Sequence, residues 1–243
     1  MAASTPPTLI SARIAGAMYL AIIGLGLFGE LFVRGALVVA GNPVATADKL
    51  LGSELLWRLG IAGDLLMHVL DVPLIVFFYL LLRPVSHPLA LLATVFNVVQ
   101  TSTLVINKLS LLSALSLVEA SARTPAAFDA RALAFQAIDL HGHGFALGLV
   151  FFGMTCLVRG YLIVKSSYVP RLLGLLLVAA GGSYLLNSFA LLLSPPLAAK
   201  LFPAVLLPAF VGELALTVWL LLADERLLQK RFAVANSAGE AGR

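Results

Sequence analysis

The sequence predicts an all-α, polytopic transmembrane helical bundle of about six spans. Of the 243 residues, 60% are hydrophobic and 12% are charged, and the mean hydropathy is +1.01. A water-soluble domain of this length carries about a quarter charged residues. Six apolar stretches are long enough to cross the ~30 Å hydrocarbon core of a bilayer, which takes about 20 helical residues. This composition therefore requires the bilayer as solvent.

The predicted spans are separated by segments rich in proline, glycine and polar residues. The spans cover residues 13–38, 56–82, 88–118, 142–164, 171–193 and 201–223. The gaps contain stretches such as "AGNPVATADK", "RPVSHP", "SSYVPR" and "LSPPLAAK", whose prolines and glycines favour turns. The chain is thus interpreted as one transmembrane domain, 13–223, between an N-terminal tail, 1–12, and a cytoplasmic tail, 224–243.

Residues 119–140 differ from the apolar spans on either side of them. The stretch "EASARTPAAFDARALAFQAIDL" mixes charged residues with Phe128, Leu133, Phe135 and Ile138. This mixture is typical of a short amphipathic helix at the membrane interface. We therefore expect such a helix between spans three and four.

The distribution of lysine and arginine predicts the orientation of the chain. If the N-terminus is inside, the inner side holds Arg13, Arg83, Lys165, Arg171, Arg226, Lys230, Arg231 and Arg243. The outer side holds Lys49, Arg123, Arg131 and Lys200, with Arg34 and Arg58 at span ends. Cytoplasmic loops carry the excess of basic residues. We expect a multi-pass protein of the cell (inner) membrane with both termini in the cytoplasm and membrane lipid as partner. The basic residues form no stripe, which argues against a nucleic-acid partner, and the sequence indicates no oligomeric state.

Ionisable side chains recur inside the predicted spans, where an unpaired charge costs about 2.5–3.5 kcal/mol. Asp64, His68 and Asp71 are spaced i, i+4, i+7, so they share one face of a helix. Glu30 and Arg34 are i, i+4 neighbours in the order that favours an ion pair, and we interpret them as a structural pair. The shared face indicates that these side chains point towards the interior of the bundle.

Further polar residues occupy the other spans at related depths. They include Asn97, Gln100, Lys108, His141 and Glu213. Under the predicted topology they lie between the midplane and the outer interface, which predicts a polar cavity open to the outer side. Lys108 also has a simpler interpretation, in which its long side chain snorkels to the headgroups.

Metal binding is the less favoured interpretation of the histidines. His141, His68 and Asp64 offer nitrogen and oxygen ligands of the kind that zinc accepts. In a helix, however, His141 and His143 of the "HGH" stretch point about 200° apart, and no HExxH, GxSxG or Cys-His spacing is present. The sequence therefore predicts no cofactor.

Several stretches together resemble an uncharacterised bacterial family of multi-pass proteins, catalogued as domain of unknown function 4386. They include "ARIAGAMYL", "GELFVRGAL", "RLGIAGDLLMHVLDV", "HGFALGLVFFGMTCLVRGYLI" and "LLPAFVGELALTVWLL". The resemblance implies a helical membrane protein and supplies no reaction or ligand. Polar positions of the family are matched at Glu30, Arg34, Arg58, Asp64, Asp71, Arg83, His141, Arg171 and Glu213. His68 and His143 depart from the family pattern, which weakens a metal site built on several histidines.

Three functional hypotheses follow from these residues. The first is binding or transport of a small polar molecule, ion or lipid headgroup in the outward-facing cavity. Its ligand-binding residues would be Asp64, Asp71, Glu213, His141, Gln100 and Asn97. The second is an intramembrane enzyme acting on a lipid or prenyl substrate, with His141 and an aspartate as acid–base pair or metal ligands. The third is a helical scaffold whose polar residues are purely structural.

Overall fold

The computed structural model describes residues 11–123 and 129–224, and within them it contains helices and no strand. The all-α fold class is confirmed. The helices are α1 (Ala12–Leu37), α2 (Pro43–Gly52), α3 (Glu54–Leu82), α4 (His87–Arg123), α5 (Ala130–Lys165), α6 (Arg171–Leu193), α7 (Pro195–Leu201) and α8 (Ala204–Leu222). All except α2 and α7 are long and apolar enough to cross a membrane. The chain is thus a multi-pass membrane protein. The predicted tails, 1–12 and 224–243, fall almost wholly outside the described residues.

The six long helices form a closed ring in chain order. Each packs against the next long helix of the sequence, and α8 packs against α1. Short connections make consecutive spans antiparallel. All six spans therefore face one shared interior.

Glycines set the spacing between α5 and α6. A Cβ atom on Gly160 would lie 2.6 Å from the carbonyl oxygen of Gly174, and one on Gly181 would lie 2.7 Å from that of Gly153. Such contacts are possible only where both backbones approach without side chains between them. Small residues are the usual means of this close packing in membranes, where the hydrophobic effect gives helices no reason to associate.

The residues along α3 show how the interior is layered. Trp57 and Ile61, near its beginning, belong to an apolar cluster that includes Leu50 and Leu115, which we call the loop core. Asp64, His68 and Asp71 follow within the helix.

A second apolar cluster closes the other end of the bundle. It contains Leu74, Phe77 and Phe78 of α3 together with Ala15 of α1 and Leu220 of α8, and we call it the terminal core. A belt of polar side chains thus lies between two apolar cores.

The amphipathic segment 119–140 forms no separate helix in the described residues. Residues 119–123 extend α4, residues 130–140 begin the 36-residue α5, and 124–128 lie outside the described part of the chain. The apolar residues Ala134 and Ile138 pack into the loop core beside Val118. Ile138 thus packs against a neighbouring helix, where the expectation was packing against lipid, whereas Leu133 is exposed. Phe128 lies outside the described residues. At about 54 Å, α5 projects beyond the hydrocarbon core.

Candidate functional site

The polar belt contains two centres, and the first is built around Asp64. Its Oδ2 atom accepts hydrogen bonds from Arg34 Nη1 and Lys108 Nζ, each at 2.8 Å. Arg34 also donates from Nε to Glu30 Oε2 at 2.9 Å, so the predicted Glu30–Arg34 pair is present. Asp64 is 1% exposed, whereas the Glu30 side chain is 61% exposed. The Asp64 centre thus contains an exposed carboxylate, that of Glu30, and a fully buried one, that of Asp64, and Arg34 bonds to both.

A local distortion of α1 positions Arg34 against Asp64. Residues Phe28–Arg34 form π-helical turns, and Gly29 lies at their beginning. A Cβ atom on Gly29 would lie 2.6 Å from Asp64 Oδ1, so glycine is needed for the carboxylate to fit. Widened turns of this kind often occur at functional sites.

Lys108 lies between Asp64 and His141. Its Nζ atom is 3.3 Å from His141 Nε2, and Asn107 donates to the backbone oxygen of His141 at 2.8 Å. Lys108 is 2% exposed, so the interpretation of this side chain as snorkelling to the headgroups was wrong. The reason is that Asp64, on the facing helix, offers the ammonium a buried counter-charge. His141 and Asp64 therefore meet through a lysine and share no direct bond.

His68 lies one helical turn beyond Asp64 on the same face of α3. It is 3% exposed, and its Nε2 atom has no hydrogen-bond partner among the described residues. Asp64 and Lys108 are the charged groups that act on its ring. His68 is therefore a buried, ionisable side chain whose Nε2 atom takes no part in the hydrogen bonds of the Asp64 centre.

The second centre contains Asp71 and the polar side chains of α4. Asp71 Oδ2 accepts hydrogen bonds from Asn97 Nδ2 at 3.1 Å and from the hydroxyl of Thr101. Asn97 also donates to Gln100 Oε1 at 2.9 Å. The Asp71 carboxylate is thus held by neutral donors.

Glu213 belongs to the same centre from the opposite side of the ring. It accepts hydrogen bonds from Tyr19 at 3.1 Å and from the Tyr184 hydroxyl. Arg159 donates to Asn97 Oδ1 and stacks over a phenylalanine ring of α3, and it interacts electrostatically with both carboxylates of the centre. We call this group the Asp71–Glu213 centre.

The charges of the two centres differ. At the Asp64 centre, the two acids are matched by two bases, Arg34 and Lys108. At the Asp71–Glu213 centre, two carboxyl groups face the single guanidinium of Arg159. With every group ionised, this centre carries one uncompensated negative charge among the described residues. A net charge in the membrane interior is costly, so a proton or a bound cation would have to balance it.

The structure places all six predicted ligand-binding residues in the polar belt. Asp64 and His141 lie at the first centre, and Asp71, Asn97, Gln100 and Glu213 lie at the second. Sequence reasoning missed Arg159, Tyr19 and Tyr184. A lone arginine six residues before the end of a span was the available signal for Arg159. The tyrosines gave none, because a tyrosine in an apolar span is ordinary core composition.

The described residues contain no group of three or more histidine, cysteine, aspartate or glutamate side chains placed to hold a metal ion. The metal candidates His141, His68 and Asp64 lie close together around Lys108. The ammonium group of Lys108 thus occupies the position between Asp64 and His141 that a bridging metal would take.

Comparisons with known proteins identify relatives without an assigned activity. The family model described as "Domain of unknown function (DUF4386)" matches residues 14–223. A relative described as "Uncharacterized protein", from Archaeoglobus fulgidus, is 26% identical over 169 residues, which are 69% of this chain and 85% of the relative. No solved structure matches the chain.

Proposed function

The chain belongs to the DUF4386 family, and we propose that it binds or transports a small polar molecule or ion, with a cation favoured, in its buried polar belt. The observation that carries this proposal is the environment of Asp71 and Glu213. Their carboxylates are held by the amide of Asn97 and by hydroxyl groups, and Arg159 is the single base among the described residues that faces both. Intramembrane carboxylates in such surroundings commonly mark ion or proton pathways.

The Asp64 centre has a different part in this proposal. Asp64 is already paired with Arg34 and Lys108, so a ligand would have to displace two bases. This centre therefore fixes α1, α3 and α4 relative to one another. The scaffold hypothesis is supported here, and the binding hypothesis at the Asp71–Glu213 centre.

The enzyme hypothesis has less support from the geometry. An acid–base pair needs His141 and an aspartate within hydrogen-bonding reach of each other or of a shared reactant. Lys108 instead interacts with both Asp64 and His141. The ammonium of Lys108 thus separates His141 from Asp64.

Both ends of the belt are closed by apolar packing. The loop core covers it on the side of Trp57, and the terminal core covers it on the side of Phe78. Transport from this occluded arrangement requires one of the two cores to open. The outward-facing cavity therefore belongs to a state in which the loop core has separated, and rocking of one part of a bundle against another is a common means of such opening.

The binding proposal is tested by the stability of the purified protein in detergent. We measure the unfolding temperature in sodium, potassium or choline chloride at equal ionic strength, and identify co-purified small molecules by native mass spectrometry. A bound cation at 100 times its Kd stabilises the fold by about 2.7 kcal/mol. Asp71→Asn and Glu213→Gln should remove the stabilisation or the bound molecule, whereas the exposed control Asp48→Asn should keep it. Identical behaviour of all four proteins would refute a role for the two carboxylates.

We further propose the cell membrane as location, with both termini in the cytoplasm. The support is the lysine and arginine distribution. Single cysteines are introduced at the exposed positions Asp48 and His87 in a Cys156→Ser background, and intact cells are treated with an impermeant maleimide. Labelling of Asp48→Cys alone supports this orientation, and labelling of His87→Cys alone reverses it.

A further inference from the structure

His68 lies at the level of the belt that separates the two centres. Helices α3 and α4 keep one antiparallel register across the Asp64 centre and the Asp71–Glu213 centre. Asp64 accepts from Lys108, and Asp71, seven residues later on α3, accepts from Thr101, seven residues earlier on α4. His68 comes four residues after Asp64 and three before Asp71, about 6 Å and 4.5 Å along the helix axis. It is therefore within one turn of a carboxylate on either side.

Helices α4 and α5 contribute apolar groups at this level. The register places Leu104, four residues before Lys108, opposite His68. Leu104 packs onto Gly148 of α5, where a Cβ atom would lie 2.6 Å from Leu104 Cδ2. We call this level, which is about one helical turn thick and apolar on α4 and α5, the apolar layer. On α3 it contains the imidazole of His68.

The Nε2 atom of His68 is buried and forms no hydrogen bond with the described residues. A buried polar atom without a hydrogen bond costs about 1–3 kcal/mol, and such atoms are rare in native folds. An apolar side chain at this position would avoid the cost. The nitrogen is free to take up a proton.

We propose that His68 carries protons across the apolar layer between the Asp64 centre and the Asp71–Glu213 centre. This inference rests on the proposed function and identifies the proton as its cation. A proton arrives from the side of the Asp64 centre where the exposed Glu30 lies. It adds to His68 Nε2 and gives a cationic imidazolium. Loss of one ring proton to the Asp71 carboxylate restores the neutral imidazole. Imidazole suits this task because each of its two nitrogens can bind and release a proton.

The charged groups that act on His68 are Asp64 of α3 and Lys108 of α4. Behind them, His141 of α5 lies 3.3 Å from Lys108 Nζ, and Arg34 of α1 donates to Asp64. On the side of the Asp64 centre, where two acids are matched by two bases, no net charge attracts the imidazolium. The Asp71–Glu213 centre, with its excess of carboxyl groups, attracts it. This gradient favours passage of the proton from the Asp64 centre towards Asp71.

The test measures proton flux in reconstituted vesicles of phosphatidylethanolamine and phosphatidylglycerol. A pH-sensitive dye is trapped inside, and a potassium diffusion potential set with valinomycin drives proton entry. We expect the wild type to acidify the lumen faster than protein-free vesicles do. We expect His68→Phe to lower the protein-dependent rate at least tenfold. The matched control is His143→Phe, because His143 is exposed and bonds to the backbone oxygen of Asp139; its rate should equal that of the wild type.

A rescue measurement separates proton transfer from a merely structural role. Added imidazole should restore flux to His68→Ala, because a free imidazole can occupy the space that the side chain leaves. A wild-type rate in His68→Phe would overturn the proposal, and so would a wild-type protein that conducts no protons. If Asp71→Asn still removes a cation-dependent stabilisation or a bound molecule in either case, the proposed function survives without the proton relay. If the wild type shows no proton flux, and Asp71→Asn removes neither a cation-dependent stabilisation nor a bound molecule, both proposals fail.

Discussion

Replacing Asp64 with alanine should destabilise the protein by about 3–5 kcal/mol, the usual cost of breaking a buried ion pair from one side. The substitution leaves two bases without their shared counter-charge. The side chain of Lys108 is 3% exposed and that of Arg34 is 13% exposed. Arg34 keeps its bond to Glu30, so the larger part of the penalty falls on Lys108.

The double variant Asp64→Ala/Lys108→Met tests where the penalty arises. It removes the stranded ammonium together with the acid, and the methionine fills much of the space of the lysine stem. We expect it to be more stable than Asp64→Ala alone, with a coupling energy between the two substitutions of about 0.5–3 kcal/mol.

Thermal and denaturant unfolding of the protein in detergent, followed by circular dichroism, measures the loss of stability in Asp64→Ala and the coupling energy of the double variant. The exposed pair Asp48–Arg131, with nitrogen and oxygen 3.6 Å apart, supplies the control. Asp48→Ala should cost at most about 1 kcal/mol. The reasoning is refuted if Asp64→Ala is as stable as this control, or if the double variant is less stable than Asp64→Ala.

Three further predictions concern packing and the second centre. Gly181→Ala should cost about 1–3 kcal/mol of overpacking, because the new methyl would press on the carbonyl oxygen of Gly153. The methyl group of the adjacent Gly182→Ala meets no atom within 4 Å, so this variant should match or exceed wild-type stability. This account is contradicted if Gly181→Ala and Gly182→Ala unfold at the same temperature, below that of the wild type. Trp57→Phe should cost about 1 kcal/mol in the same assay through the lost indole hydrogen bond. Arg159→Met should cost about 3–5 kcal/mol because it leaves two carboxyl groups facing each other without a base; a stability within 1 kcal/mol of wild type would show that the guanidinium does not balance them.

Some of the polar belt could be predicted from helical period alone. Asp64, His68 and Asp71 share a face because 3.6 residues make a turn, whatever the rest of the chain does. The i, i+4 spacing of Glu30 and Arg34 brought their pair within reach of prediction for the same reason. Both predictions concern residues on one helix, whose relative positions a sequence fixes directly.

The contacts between different helices could not be predicted from helical period. Tyr19 donates to Glu213 across 194 residues of sequence, and no local pattern connects the two. Lys108 was interpreted as a snorkelling residue because its counter-charge lies on another helix. Arg159 escaped notice since its partners, Asn97 and Asp71, lie on two different spans.

The sequence by itself determined that this protein has six membrane-crossing helices and an ionisable face on α3. The reason is that burial in lipid and helical period depend on each segment alone. Only the tertiary structure decided that Lys108 neutralises Asp64, that Arg159 faces Asp71 and Glu213, and that His68 lies in the apolar layer between the centres. Those relations depend on the ring order of the helices and on the register of each antiparallel pair. Backbone approach at glycines and complementary charges on facing helices set that register, and both require the whole bundle to be assembled.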